Sequence, residues 1–169
     1  MNPDVSVLQK HAIPSPFGRG EETVIDPSYR NGTEIKADDL TFSDHHEKLI
    51  NLLKQDLART MFVGKKLRVN LYKLAIYGEE GHFDWHRDST HSDAHHGTLL
   101  FALNTEWEGG DFMLRHGGVK MKVDMNPVSD DFEPALAIVA FYTDMEHKVM
   151  PMTKGVRFVL QYDIEVVKE

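Results

Sequence analysis

Between residues 44 and 62 the apolar side chains Leu49, Ile50, Leu53, Leu57, Met61 and Phe62 return at intervals of three and four, the period of one helix face. Asp44 and Glu47 have the spacing of a capping box at its start, and Gly64 stands where a glycine closes a helix. Beyond Gly64 the period falls to two. Leu67, Val69 and Leu71 alternate with Arg68 and Asn70, and KLAIY runs on to the turn GEEG. The same alternation predicts strands over 82–87, 98–104, 110–115, 119–123, 136–142, 146–150 and 156–166, separated by the turn signals EGG, HGG and TKG. Residues 1–43, rich in Pro, Gly, Asp and Ser, form an extension with two short strands, 23–25 and 33–36, packed on the same domain. The body, residues 44–169, is expected to be an all-β sandwich or small barrel braced by one helix.

Composition narrows the chemistry this body can host. A chain of 169 residues with 41% hydrophobic content is one domain long and has one sizeable core. It contains no cysteine, which excludes disulfides, zinc-thiolate sites, iron-sulfur clusters and thiol nucleophiles, so any metal must be held by imidazole and carboxylate. No apolar run approaches the ~18 residues of a membrane span, and no leader pattern opens the chain, so a soluble, intracellular and cytoplasmic protein is expected. A formal net charge of −8 disfavours nucleic acid as a partner.

Within GHFDWHRDSTHSD the pattern His-x-Asp occurs three times: His82 with Asp84, His86 with Asp88, and His91 with Asp93. On a strand His82, Asp84, His86 and Asp88 would share one face and Phe83, Trp85 and Arg87 the other, so periodicity does not choose between the first two pairs. The third pair sits in STHSDAHHG, a polar stretch without apolar flanks that reads as a loop at a cavity mouth. With ten histidines and 27 acidic residues in the chain, some such pairs arise by chance.

The distal half adds weight. His147 follows an apolar strand, a PMTKG turn comes next, and Arg157, Val159 and Gln161 then share a strand face. Folded as a hairpin about that turn, His147 and Arg157 would fall nearly opposite each other and project into one cavity. Two histidines and one carboxylate leave coordination positions open, the arrangement of non-heme Fe(II) oxygenases. A nearby guanidinium suits the far end of a dicarboxylate that chelates the metal. Gly109 and Gly110 are expected at a turn or bulge and His116 at an exposed turn, while Trp85 and Trp107 are assigned to packing before any substrate groove.

Three segments, LYKLAIYGEEGHFDWHRD, GTLLFALNTEWEGGDFMLRHGG and AFYTDMEHKVMPMTKGVRFVLQYDI, stand in this order over roughly residues 66 to 166. They resemble the 2-oxoglutarate- and Fe(II)-dependent dioxygenases of the prolyl-hydroxylase-like branch, the prolyl 4-hydroxylase catalytic-domain type. EETVIDPSYRNGTEI is similar to an N-terminal stretch of fungal and plant members.

The resemblance implies a double-stranded β-helix (jelly roll, cupin-like), with the 44–62 helix bracing the major sheet. It maps the metal ligands onto His86, Asp88 and His147, leaving the other two pairs as decoys. Arg157 becomes the 2-oxoglutarate-binding residue, with Tyr77 and Thr98 at positions that contact cosubstrate carboxylates. Phe83 departs from members that carry a cosubstrate-contacting Tyr three residues before the first ligand. The implied cofactors are Fe(II), 2-oxoglutarate and O2, with room for ascorbate. The implied reaction is hydroxylation of an unactivated C–H bond, with a prolyl residue or peptide as the expected substrate and a free amino acid or small metabolite as the alternative. A reading from another class is a metal-binding jelly roll that engages partners without turnover.

Overall fold

The computed structural model describes residues 3–126 and 137–168. In chain order the elements are α1 (Val5–His11), β1 (Ile13–Pro14), β2 (Phe17–Arg19), β3 (Glu22–Val24), β4 (Arg30–Asn31), β5 (Thr33–Lys36), α2 (Asp44–Thr60), β6 (Leu67–Tyr77), β7 (His82–His86) and β8 (His95–Ala102). They continue with β9 (Trp107–Gly109), β10 (Phe112–His116), β11 (Val119–Val123), β12 (Ala137–Tyr142), β13 (Glu146–Val149), β14 (Met152–Gly155) and β15 (Arg157–Val166). The expected strand over 136–142 appears as β12, and its first residue, Leu136, lies outside the described residues.

Two antiparallel sheets face each other as a double-stranded β-helix. The major sheet runs β1-β5-β6-β15-β8-β12 and the minor sheet β11-β10-β13-β7-β4, with two small ribbons, β14-β9 and β2-β3. Strand alternation divides the interior in two. On β15, Phe158, Leu160, Tyr162 and Ile164 join Leu74, Leu99 and Phe101 under α2, whose Leu57 is fully seated and whose Leu49, Ile50 and Leu53 flank it. The opposite face of the major sheet carries Ala75, Tyr77, Ala102 and Val159, which meet Phe83, Phe112, Leu114 and Val149 of the minor sheet. The brace and the space between the sheets thus share one set of strands.

The helix begins one residue earlier than a capping box would require. Ser43 occupies the cap without a side-chain hydrogen bond, and Asp44 and Glu47 fall in the first turn, where their charges favour the helix dipole. The helix ends at Thr60, and Gly64 takes a positive φ of 73° in the turn after it. The sequence reading missed α1, a helix of two turns with no fully buried residue, whose Val5 and Leu8 pack only partly against the core beneath α2. No described helix is long and apolar enough to cross a membrane.

Two expectations need correction. Residues 152–155, read as part of a turn, form β14, which pairs with β9. His147 and Arg157 are therefore not across a hairpin: β13 belongs to the minor sheet and β15 to the major one. The PMTKG segment carries the chain from one wall to the other, so the two side chains still reach the same space from opposite sides.

Candidate active site

A cavity of about 330 Å³ opens between the sheets. From the minor sheet and the segment after β7 it is lined by Phe83, His86, Asp88 and His147, and from the major sheet by Tyr72, Lys73, Ala75, Tyr77, Arg157 and Gln161. Phe17 of β2 and Tyr29 and Arg30 of the extension close a third side.

A β-bulge sets the first two His-x-Asp pairs apart. Phe83 pairs with Val149 and His86 with His147, so three steps on β7 face two on β13 and the alternation breaks between them. Phe83 and His86 consequently both turn inward, their rings stacked with centroids 3.4 Å apart. The expectation that Phe83 and His86 lie on opposite faces is therefore overturned. His82 and Asp84 turn away: the His82 ring contacts the carbonyls of Glu80 and Ser28, and Asp84 pairs with Lys148 at 3.0 Å.

Ligand atoms of His86, Asp88 and His147 lie within 4.8 Å of one another. The Nδ1–H of His86 donates to the Asp84 carbonyl at 2.7 Å, and that of His147 to the Met145 carbonyl at 3.2 Å. Each ring thereby presents Nε2 to Asp88 Oδ1, at 3.9 Å for His86 and 3.2 Å for His147. Fixing the tautomer through the second ring nitrogen is how proteins aim imidazole lone pairs at a metal. Burial, with His147 beside it, pulls His86 down to about 3, so its ring is neutral. For Asp88 burial alone would raise the value, but the hydrogen bond and charge of His147, then the Thr98 hydroxyl, outweigh it and hold the carboxyl well below its usual range. Two oriented imidazoles and an ionised carboxylate make a donor set suited to a divalent cation.

Thr98 is wholly buried on β8, and its hydroxyl donates to Asp88 Oδ2 at 2.5 Å. Its proton is committed there, and Thr98 stands outside the lining of the cavity. Arg157 does line it. Its guanidinium is 2% exposed, donates to the Gly110 carbonyl at 2.6 Å and leaves Nε without a partner. It forms no ion pair among the described residues, so a buried cation faces the cavity without an anion. Tyr77 pairs with Arg157 in register, and the guanidinium lies 5.5 Å from its ring centroid.

A second cluster, His91, His95 and Asp163, also brings its ligand atoms within 4.8 Å. It is a tether rather than an open donor set. His91 donates to Asp163 Oδ2 at 2.6 Å, while His95 accepts from the His91 backbone and donates to the Gly97 carbonyl. Ser89 and His91 stand at the cavity wall, whereas His95–Gly97, assigned to a loop from sequence, belong to β8. Trp85 stacks under Arg115 at 4.1 Å, Trp107 is buried, and neither lines the cavity. His116 is exposed before a Gly-Gly turn, and Gly109 and Gly110 both adopt positive φ.

The family model of the 2OG-Fe(II) oxygenase superfamily matches residues 72–162. The chain belongs to this superfamily. This oxygenase therefore uses Fe(II), 2-oxoglutarate and O2, and the residues around the cavity fit them: two oriented imidazoles with a carboxylate for the metal, and an unpaired buried guanidinium for a dicarboxylate. In fold it is similar to a prolyl-4-hydroxylase from Pseudomonas putida, with a TM-score of 0.64 at 16% identity over 95% of this chain and 80% of that one. It is also similar to a prolyl hydroxylase from Trichoplax adhaerens in complex with a hypoxia inducible factor peptide fragment, with a TM-score of 0.67 at 15% identity over 96% and 74%. A third is the viral collagen prolyl hydroxylase of Paramecium Bursaria Chlorella virus-1 in a 2-oxoglutarate complex, with a TM-score of 0.56 at 17% identity over 82% and 81%. No curated protein matches the chain.

The sequence reading missed Arg30, Glu34 and Lys73, three charged residues each less than 8% exposed. Lys73 had a signal: a lysine on the same strand face as Ala75 and Tyr77. Arg30 and Glu34 had none, since the extension carries no period that orients them.

Proposed function

We propose that this oxygenase hydroxylates an unactivated C–H bond of a prolyl unit. In this reading His86, Asp88 and His147 hold Fe(II), Arg157 with Tyr77 receives the far carboxylate of 2-oxoglutarate, and Thr98 steadies Asp88. The carrying observation is the convergence of two Nε2 atoms on one ionised carboxylate, each ring tied through Nδ1–H to a carbonyl two residues before it. The bound iron supplies the oxidising chemistry, with 2-oxoglutarate giving succinate and CO2. The chain's own residues do the rest: they fix the ring orientations, keep Asp88 charged, seat the dicarboxylate on a dry cation, and exclude bulk water with Phe83, Phe112 and Val159. The likeness in fold to three prolyl hydroxylases, one of them holding a peptide, supports a prolyl unit as the substrate.

The test is anaerobic titration with Fe(II) and 2-oxoglutarate followed by exposure to oxygen, with succinate measured in the presence and absence of proline-containing peptides and free proline. Succinate formation stimulated by a prolyl compound is the expected result. Absence of 2-oxoglutarate binding would remove the reading altogether.

A further inference from the structure

Beside the centre described above, the cavity holds a second concentration of positive charge. Arg30 and Lys73 both line it, at 7% and 6% exposure. They share one carboxylate, Glu34, whose Oε1 lies 3.0 Å from Lys73 Nζ and 3.9 Å from the Arg30 guanidinium. Arg30 also donates to the Pro16 carbonyl at 2.6 Å and lies 4.3 Å from the Phe83 ring centroid, but its buried Nε has no partner. Phe83 in turn stacks on His86, so this cation stands one ring away from the proposed metal centre. Burial, and next the charge of Arg30, pull the Lys73 ammonium below its usual value, the mark of an electrostatic cost the fold leaves standing.

Charge balance and position say what would relieve it. Fe(II), Asp88, the 2-oxoglutarate dianion and Arg157 cancel among themselves, whereas Arg30, Lys73 and Glu34 leave one positive charge over. Tyr77, the register partner of Arg157, and Lys73 are four residues apart on β6, about 13 Å at ~3.3 Å per residue. A cosubstrate seated on Arg157 therefore leaves the Lys73 end of the cavity to another anion. Burying two cations against one carboxylate is costly unless a further anion completes the group.

We infer that Arg30 and Lys73 form a substrate subsite for a free carboxylate, so that this oxygenase takes an amino-acid-sized acid rather than an internal residue of a peptide. The inference rests on the reading of the centre proposed above and narrows its substrate. Glu34 acts as a built-in counter-ion that holds the two cations in place and competes with the incoming carboxylate. The guanidinium, backed by Phe83, can offer the substrate a charge-assisted hydrogen bond from the nitrogen now left unpaired.

The test uses the full chain loaded with Mn(II) and saturating 2-oxoglutarate under nitrogen, titrated calorimetrically with L-proline and the other free proteinogenic amino acids, their carboxamides, and an end-blocked proline peptide. At least one free acid should bind, about tenfold or more tighter than its carboxamide. Arg30→Gln should abolish that preference while 2-oxoglutarate affinity stays within about twofold. Glu34→Gln, which removes the competing anion, should tighten the acid about threefold or more; a merely structural Glu34 would lower stability and leave the acid-to-amide ratio unmoved. Lys73→Met alone takes away the 3.0 Å partner of Glu34, so Lys73→Met is combined with Glu34→Gln; this pair leaves Arg30 as the single cation and should bind the acid about threefold or more weaker than Glu34→Gln alone. The inference is overturned if acid and carboxamide bind equally, if only the blocked peptide binds, or if Arg30→Gln weakens 2-oxoglutarate instead. If wild-type protein fails to bind 2-oxoglutarate, the reading of the centre fails; if it binds 2-oxoglutarate and no acid, only the carboxylate subsite fails.

Discussion

Arg157→Ala tests the cosubstrate site most directly. Arg157 is 2% exposed, its guanidinium donates to the Gly110 carbonyl at 2.6 Å, and no carboxylate among the described residues pairs with it. Truncating one partner of a desolvated charge pair costs on the order of 2 to 5 kcal/mol, much of it from the carboxylate left behind. That corresponds to roughly 30-fold to 5,000-fold weaker 2-oxoglutarate binding. Iron affinity should change far less, because the proposed ligands stand on the opposite sheet. Arg157→Lys restores charge without the planar fork and should fall in between. Calorimetric titration with 2-oxoglutarate under nitrogen, Mn(II) replacing Fe(II), reads the effect. A thermal melt provides a second reading: 2-oxoglutarate at about a hundred times its wild-type Kd adds ~2.7 kcal/mol to the wild type, about 5 to 10 °C for a chain of this size, and should add no more than about a third of that to Arg157→Ala. Unchanged 2-oxoglutarate affinity in a folded Arg157→Ala protein refutes the assignment.

Alanine at His86, Asp88 or His147 should abolish Mn(II) binding and succinate formation, while His82→Ala and His91→Ala retain most of both; loss in His82→Ala with normal activity in His86→Ala would reverse the choice of pair. Thr98→Val leaves Asp88 Oδ2 buried without its donor and should weaken Mn(II) by ~1 to 3 kcal/mol, with Thr98→Ser recovering most of it; equal affinity in Thr98→Val would show that the 2.5 Å bond does not orient the carboxylate. His46, which shares a hydrogen bond with the Tyr162 hydroxyl, is held below its usual value by burial, so the unfolded chain takes up the proton first as the pH falls. Its contribution to stability is complete above about pH 6.5 and is lost as the pH drops through the folded value. A plot of melting temperature against pH should flatten below about pH 6.5 in His46→Gln, and identical slopes would contradict this.

The helix face from Leu49 to Leu57 and the long strands β6 and β15 are legible from the chain because each buries a full stripe or alternation, and periodicity reports burial directly. Two-residue pairings such as β1 and β4 carry no period and emerge only when a neighbouring strand supplies the partner. The site divides in the same way. His147 and Arg157 announce themselves by residue type and spacing, although the hairpin drawn between them is in fact a crossing between sheets. The choice of His86 over His82 depends on a bulge opposite β13, and the role of Thr98 on a contact ten residues from Asp88. Neither is visible in local pattern, because both arise when distant strands come into register.

Phe17, Tyr29, Arg30 and Glu34 all precede residues 72–162, the span the superfamily model recognises. With the proposed metal donors and Arg157 inside that span and the proposed acid-binding wall largely outside it, this reading inscribes reactivity and selectivity in separate stretches of the gene. A lineage can then revise what enters the cavity by altering a few residues of the first 36 while the oxidising centre drifts under its own constraints. For engineering, exchanging this opening stretch between relatives is the economical route to new substrates. Lys73 is the one selectivity residue such a graft would have to match by hand.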